Sequence, residues 1–172
     1  MAFAQELTFL DILQHNVKPF SCGKPCMDDF LKRHATKHMK TGVSNTWVLP
    51  VLEDPQPAKT RIAAYYSLTS STVKKEEIPF NKSLPKYPVP VVLLARLAVD
   101  KEFSRQGLGS KILITALRKS VEVTEKGLPA IGLIVDVLDE DALAFYQKYE
   151  MFESFTKNPM RLFVSMNVLR QI

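Results

Sequence analysis

Two glycines, Gly107 and Gly109, stand between two apolar patterns of different spacing. Residues 91–99 form an apolar run typical of a buried strand, and a polar stretch at 100–106 follows it. Beyond the glycines, apolar residues recur on one helix face, at Ile112, Leu113, Ala116, Leu117 and Val121. Glycine lets a backbone approach a ligand closely, and the first N–H groups of a helix lack partners within it. The order strand, glycine turn, helix therefore predicts a site for an anion.

Tyr146 is the second candidate for chemistry, at the end of the segment D-E-D-A-L-A-F-Y that begins at Asp139. A phenol with a pKa of about 10 stays protonated at neutral pH, so it can give a proton to a departing anion. Helical periodicity alone favours an ordinary half-buried aromatic residue here. The residues by themselves leave both interpretations open.

A metal site would need ligands such as cysteine and histidine, and the candidates are Cys22, Cys26, His34 and His38. Only seven residues separate Cys26 from His34, fewer than a zinc finger with two cysteines and two histidines requires. Both histidines share a predicted helix face with apolar residues. We therefore expect them to pack at the border of that helix, and we predict no metal site.

An amphipathic helix is predicted to begin near Met27 and to end at Gly42. Its apolar side carries Met27, Phe30, Leu31, His34, Ala35 and His38. Its other side carries a basic stripe, made of Lys32, Arg33, Lys37 and Lys40. Considered alone, such a stripe is most often a solvated helix face.

The remaining elements are predicted from their apolar patterns. Residues 46–52 and 61–70 indicate a β-hairpin, and the prolines of residues 79–90 exclude regular structure throughout that segment. Further strands are predicted at 91–99, 130–138 and 161–168, with a helix at 139–149. This order predicts an α/β sheet, antiparallel in its first strands and parallel around residues 91–99.

The whole chain has 172 residues, 46% of them hydrophobic, and a net charge of +5. These values suit one globular domain and permit, without requiring, a polyanionic partner. No apolar run has the length of a membrane span, and residues 1–13 lack the basic start of a signal peptide. With only two cysteines, the chain is expected in the reducing cytoplasm.

The glycine turn and the tyrosine segment together resemble the GNAT family of N-acetyltransferases. The pyrophosphate loop of that family follows a strand, opens a helix and contains two glycines; its counterpart here is Ser104-Arg105-Gln106-Gly107-Leu108-Gly109. Ser104 replaces the family's Gln or Arg, and Arg105 would supply the positive charge. Residues 139–146 resemble the family pattern N/D-x-x-A-x-x-F-Y, although the glycine expected near Glu150 is absent. The resemblance implies a single α/β GNAT domain over residues 1–172, a mixed twisted sheet with helices on both faces.

The same resemblance implies the residue roles. Acetyl-CoA would be the acetyl donor, with a strand N–H near Leu97 or Val99 polarising its thioester and Tyr146 protonating the departing thiolate. The residues implied for binding acetyl-CoA are Leu97, Ala98, Val99, Arg105, Gln106, Gly107, Leu108, Gly109, Ser110, Ala142 and Phe145.

Two further stretches, residues 15–35 and the run L-P-K-Y-P-V-P-V-V-L-L-A-R-L-A-V-D at 84–100, resemble one GNAT subgroup. These are the toxins of bacterial toxin–antitoxin pairs, which acetylate the α-amino group of aminoacyl-tRNA; Asn45 departs from an arginine expected there. The resemblance implies an aminoacyl-tRNA acceptor, a ribbon-helix-helix antitoxin and a homodimer. Its implied tRNA-binding residues are Lys32, Arg33, Lys37, Lys40 and Lys86. The alternatives are a GNAT enzyme that acetylates a small amine or a protein N-terminus, and a GNAT-like binding module without activity.

Overall fold

The structure is a computed structural model that describes residues 2–78 and 83–172. Its residues cluster into two compact units. The first contains Met1–Leu68 and Arg96–Thr115, and the second contains Thr69–Ala95 and Ala116–Ile172. That the two units form one domain stays a prediction.

The first unit is built around an antiparallel hairpin. Its strands are β1 (Ala2–Phe3), β2 (Thr8–Phe9), β3 (His15–Asn16), β4 (Asn45–Leu52) and the first part of β5 (Thr60–Val73). Strands β4 and β5 pair antiparallel, as predicted, and β1 and β2 both pair antiparallel with β4. The short β3 adds a parallel pairing with β5 that the sequence did not predict.

The predicted amphipathic helix of this unit consists of three pieces. These are α1 (Pro25–Asp29), a π-helical turn at Phe30–His34 and α2 (Ala35–Thr41). The Ala35 N–H donates to the Phe30 carbonyl, one residue further back than in an α-helix, and Gly42 ends α2 with a φ of 77°.

The π-turn corrects the prediction for His34. Because the wide turn holds an additional residue, His34 does not follow α-helical spacing and is exposed. His38 agrees with the prediction, since it is half-buried and its ring meets the edge of Phe30 at 5.2 Å between centroids.

The second unit holds the parallel pairing of β6 with β7. It contains part of β6 (Val89–Val99), part of α3 (Leu108–Glu125), β7 (Gly132–Asp136), α4 (Glu140–Gln147), β8 (Glu153–Phe155), β9 (Asn158–Ser165) and α5 (Met166–Leu169). Strands β6 and β7 are parallel, whereas β9 pairs antiparallel with both β7 and β8. With the antiparallel hairpin of the first unit, this is the mixed α/β arrangement that was predicted.

The end of the chain departs from the prediction of a strand at 161–168. Strand β9 stops at Ser165, whose hydroxyl accepts a hydrogen bond from the Val168 N–H at 3.2 Å. This N-cap begins α5 at Met166, so the apolar residues that follow are helical. Strand β8 was also not predicted from the sequence.

The proline-rich segment is described from residue 83 onward, so the prediction for residues 79–82 lies outside the described part of the chain. Residues 83–88 are irregular, as predicted, and β6 begins at Val89. Within residues 2–78 and 83–172, no helix is long and apolar enough to cross a membrane.

Candidate functional site

The turn after β6 is fixed by a buried carboxylate. Asp100, only 4% exposed, accepts hydrogen bonds from the Ser21 N–H at 3.0 Å and from the Glu102 N–H at 2.9 Å. The Lys101 N–H returns to the Ser21 carbonyl at 2.9 Å. Asp100 therefore joins the end of β6 to the segment before α1 and caps the short 3₁₀ turn Lys101–Phe103.

Arg61 at the start of β5 supports the same turn. Its guanidinium pairs with the Glu102 carboxylate and lies 5.2 Å from the centroid of the Phe103 ring. The hydrogen bond between Arg61 and Glu102 raises the pKa of Arg61 and lowers the pKa of Glu102. Neither Asp100 nor Arg61 was singled out from the sequence, although an aspartate directly after a strand is a recognisable capping signal.

The predicted anion turn adopts an unusual backbone conformation. Arg105 has a φ of 61° and Gly107 a φ of 78°, so both lie in the left-handed region. The Gly107 carbonyl accepts from the Lys111 N–H at 3.2 Å, and the 18-residue helix α3 begins at Leu108. Arg105, Gln106, Gly107 and Ser110 are exposed, Gly109 is half-buried and Leu108 is buried. An exposed turn with this geometry at the start of a long helix is suited to bind an anionic group.

The strand residues implied for the thioester lie at the end of β6. The parallel register of β6 with β7 covers Val92 to Leu94, while β6 itself continues to Val99. Ala98 is buried in the apolar core of the first unit, and Leu97 and Val99 are half-buried. The Ala98 side chain thus serves packing, and the role that the resemblance implies for Leu97 and Val99 is one of their backbone groups.

The second unit holds Tyr146 in α4. Asp139 caps this helix by accepting from the Ala142 N–H at 2.9 Å. Tyr146 is 6% exposed, and its ring meets Phe145 at 5.1 Å and Phe152 at 5.6 Å between centroids. Burial raises the pKa of Tyr146, so the phenol is neutral at physiological pH. Ala142 and Phe145 are half-buried.

The turn after α4 closes without the glycine that the resemblance led us to expect. The Tyr149 N–H donates to the Tyr146 carbonyl at 3.0 Å, and the Phe152 N–H donates to the Tyr149 carbonyl at 3.4 Å. Phe152 thereby returns to pack on Tyr146. The residues Glu150 and Met151 are accommodated within this turn.

The predicted nucleic-acid-binding residues are all exposed. Lys32, Arg33, Lys37 and Lys40 belong to the first unit and Lys86 to the second. Arg33 lies 3.9 Å from Asp29, and this pair contributes little to stability because both side chains are mostly solvated. Among the described residues there is no group of three or more His, Cys, Asp or Glu side chains that could hold a metal ion.

The comparisons with known proteins agree with these features. The family model for the acetyltransferase (GNAT) family matches residues 24–151. The tRNA-acetylating toxin of Mycobacterium tuberculosis is 34% identical over 160 residues, which cover 91% of this chain and 90% of the toxin.

Solved structures show the same fold. A tyrosine-to-phenylalanine mutant of KacT is 26% identical, with a TM-score of 0.86 over 97% of this chain and 99% of that one. AtaT complexed with acetyl-methionyl-tRNAfMet is 22% identical, with a TM-score of 0.85 over 99% of this chain and 98% of that one, and this likeness concerns the fold alone. The predicted family and α/β fold, a mixed sheet flanked by helices, are confirmed, and the chain belongs to the acetyltransferase (GNAT) family.

Proposed function

We propose that this chain is a toxin that transfers an acetyl group from acetyl-CoA to the α-amino group of aminoacyl-tRNA and so blocks translation. The acceptor class rests on one observation, the 34% identity to a tRNA-acetylating toxin over 91% of the chain. The exposed turn at Arg105–Gly107 and the neutral phenol of Tyr146 supply the groups that such a transfer needs.

The turn provides the binding site for acetyl-CoA in this proposal. Backbone N–H groups of residues 105–110 bind the pyrophosphate, and the positive end of the α3 dipole stabilises its charge. Arg105 adds a positive side chain at the position before the glycines. Ser104 contributes little, because its hydroxyl already donates to the Lys101 carbonyl at 2.8 Å.

The chemical step is a direct transfer. The neutral α-amine forms a bond to the thioester carbon, and a β6 N–H near Leu97 or Val99 stabilises the oxyanion. As the carbon–sulfur bond breaks, Tyr146 gives its proton to the coenzyme A thiolate. The proton released from the amine passes to water. The α-amine of an aminoacyl ester is acidic enough to be partly neutral near pH 7, so no strong side-chain base is required.

The surface charges would hold the RNA. Lys32, Arg33, Lys37, Lys40 and Lys86 are exposed cations suited to phosphate contacts, which position RNA without reading its sequence. We further propose that the protein acts in the cytoplasm as a homodimer and that a ribbon-helix-helix antitoxin neutralises it.

The proposal is tested by offering the purified protein labelled acetyl-CoA with several acceptors. Label is expected in aminoacyl-tRNA and not in the same tRNA after deacylation, because only the former carries the α-amine. Transfer to a small amine or a protein N-terminus, with none to aminoacyl-tRNA, would show instead a GNAT enzyme of another specificity. Failure to bind acetyl-CoA would indicate an inactive binding module.

A further inference from the structure

Arg96 is a half-buried arginine in β6, one residue before Leu97. Its guanidinium carbon lies 4.1 Å from the centroid of the Phe30 ring, which is a close cation–π contact. Phe30 is 3% exposed and begins the π-turn after α1. The buried ring therefore holds the guanidinium by a contact that leaves its hydrogen-bonding capacity unused.

No anion in the described part of the chain neutralises this cation. Arg96 makes neither a hydrogen bond nor an ion pair with any residue described, and the acidic groups of the neighbouring segments bind elsewhere. Asp28 accepts from the Cys22 N–H, Asp29 lies beside Arg33, and Asp100 accepts two backbone N–H groups. Even the Tyr65 hydroxyl, below Phe30, donates to the Met27 carbonyl at 2.6 Å.

The other half-buried arginines that the structure describes behave differently. Arg61 pairs with Glu102, and Arg161 holds both oxygens of Asp136, at 2.6 and 3.0 Å. A partly buried charge without a partner costs free energy, so its presence needs an explanation. Arg96 is thus the one half-buried arginine in residues 2–78 and 83–172 whose N–H donors remain available for a ligand.

We propose that Arg96 binds a phosphate of the acceptor RNA beside its 3′-terminal aminoacyl nucleotide. The planar guanidinium matches two phosphate oxygens, and no described residue takes up its N–H donors. Arg96 directly precedes Leu97, near which the proposed oxyanion donor lies, so it would meet the acceptor end of the RNA. The exposed Lys32 and Arg33 belong to the π-turn that Phe30 begins, so that turn carries further positive charge. This inference rests on the proposed function.

The test compares two acceptors with the same α-amine. One is aminoacyl-tRNA, and the other is a 3′-O-aminoacyl adenosine, which carries no phosphate. Arg96→Met keeps the length and apolar character of the stem, and it is expected to raise KM for aminoacyl-tRNA by roughly 10- to 100-fold, the range for a lost charge-assisted hydrogen bond. The kinetic constants for the adenosine ester and KM for acetyl-CoA should stay within about twofold, the scatter expected of a residue that contacts neither.

Two more variants sharpen the test. Arg96→Lys keeps the charge but loses the two-pronged geometry, so its KM should fall between those of the wild type and Arg96→Met. Arg118→Met removes an exposed arginine of α3 and should leave the kinetic constants for both acceptors unchanged. Activity of the Arg96 variants on the adenosine ester also reports that they are folded.

Several outcomes would overturn the inference. An equal loss of activity with both acceptors would show that Arg96 has a structural role. A raised KM for acetyl-CoA would show that the phosphate bound by Arg96 belongs to the coenzyme. Unchanged kinetics would show that Arg96 binds no ligand. If the wild type acetylates the adenosine ester and not aminoacyl-tRNA, the proposed function is wrong, and this inference is wrong with it. That result is seen with the wild type alone, so it is distinguishable from a failure of the Arg96 variants.

Discussion

At the scale of single residues, the proposed acetyl transfer depends on one phenol whose environment keeps it neutral. Tyr146 is almost fully buried between Phe145 and Phe152, and burial raises its pKa. A higher pKa makes the phenol a weaker acid, but it guarantees that the proton is present at every physiological pH. A thiol, with a pKa of about 8.5, is more acidic than a phenol, so burial secures the proton on Tyr146 but does not increase its strength as an acid.

Replacing Tyr146 by phenylalanine removes the proton and keeps the ring. Tyr146→Phe is expected to lower kcat by about 10²- to 10⁴-fold, the usual contribution of a general acid, while the Kd of acetyl-CoA is unchanged. Single-turnover acetyl transfer and calorimetric binding of acetyl-CoA measure the two quantities. Tyr149→Phe, three residues further on, is the matched control and should keep full activity. Full activity of Tyr146→Phe would refute the assignment of the acid.

Residue types revealed part of this site, and tertiary contacts determine the rest. Gly107 and Tyr146 could be proposed from the sequence, because the residues around them resemble the GNAT patterns, and their roles stay predictions. The free donors of Arg96 could not, because they depend on Phe30 and on carboxylates that bind elsewhere. The exposure of His34 could not be predicted either, because the apolar spacing of the sequence does not distinguish a π-turn from an α-helix.

At the scale of elements, the site depends on how β6 is joined to α3. Asp100 and the Arg61–Glu102 pair fix the 3₁₀ turn, and the chain then passes through two residues of positive φ before α3 begins. The strand and the helix were predicted from apolar periodicity. Their connection was predicted only as a glycine turn, because its shape depends on contacts with Ser21 and Arg61 that are distant in sequence.

Gly107→Ala tests the importance of that shape. A side chain at a φ of 78° costs roughly 1–2 kcal/mol, so the turn is expected to relax and KM for acetyl-CoA to rise several-fold. Gly42→Ala is a close control, because its φ of 77° and its open surroundings impose the same strain at the end of α2. Both variants should lose similar thermal stability, but only Gly107→Ala should change KM for acetyl-CoA. Equal KM values in the two variants would contradict the role of the turn.

At the scale of the whole molecule, the proposed RNA binding depends on surface charge. The net charge of +5 is modest, so RNA binding depends on where the exposed lysines and arginines lie and not on their total number. The basic stripe of the first unit, Lys32, Arg33, Lys37 and Lys40, is solvated as the sequence predicted. Sequence alone could not decide whether a solvated stripe binds RNA, because exposure is the same in either case.

Reversing the stripe distinguishes the two possibilities. The triple variant Lys32→Glu, Lys37→Glu, Lys40→Glu is expected to raise KM for aminoacyl-tRNA and to flatten its dependence on salt, since each lost phosphate contact lowers the slope by roughly 0.7–0.9. A control variant with Lys18, Lys59 and Lys157 changed to Glu alters the net charge equally at other exposed positions. If both triple variants behave alike, the stripe is only a solvated face.

Mass spectrometry of the tRNA 3′ ends shows whether the acetyl group reaches the α-amine of aminoacyl-tRNA. The chain is expressed briefly in bacteria, total tRNA is digested with nuclease, and the 3′-terminal aminoacyl adenosines are analysed. The proposed function predicts that growth stops and that one or more aminoacyl adenosines gain a single acetyl group on the α-amine, while cells expressing Tyr146→Phe show neither effect. Acetyl groups confined to proteins or small amines, with unmodified aminoacyl adenosines in arrested cells, would contradict it.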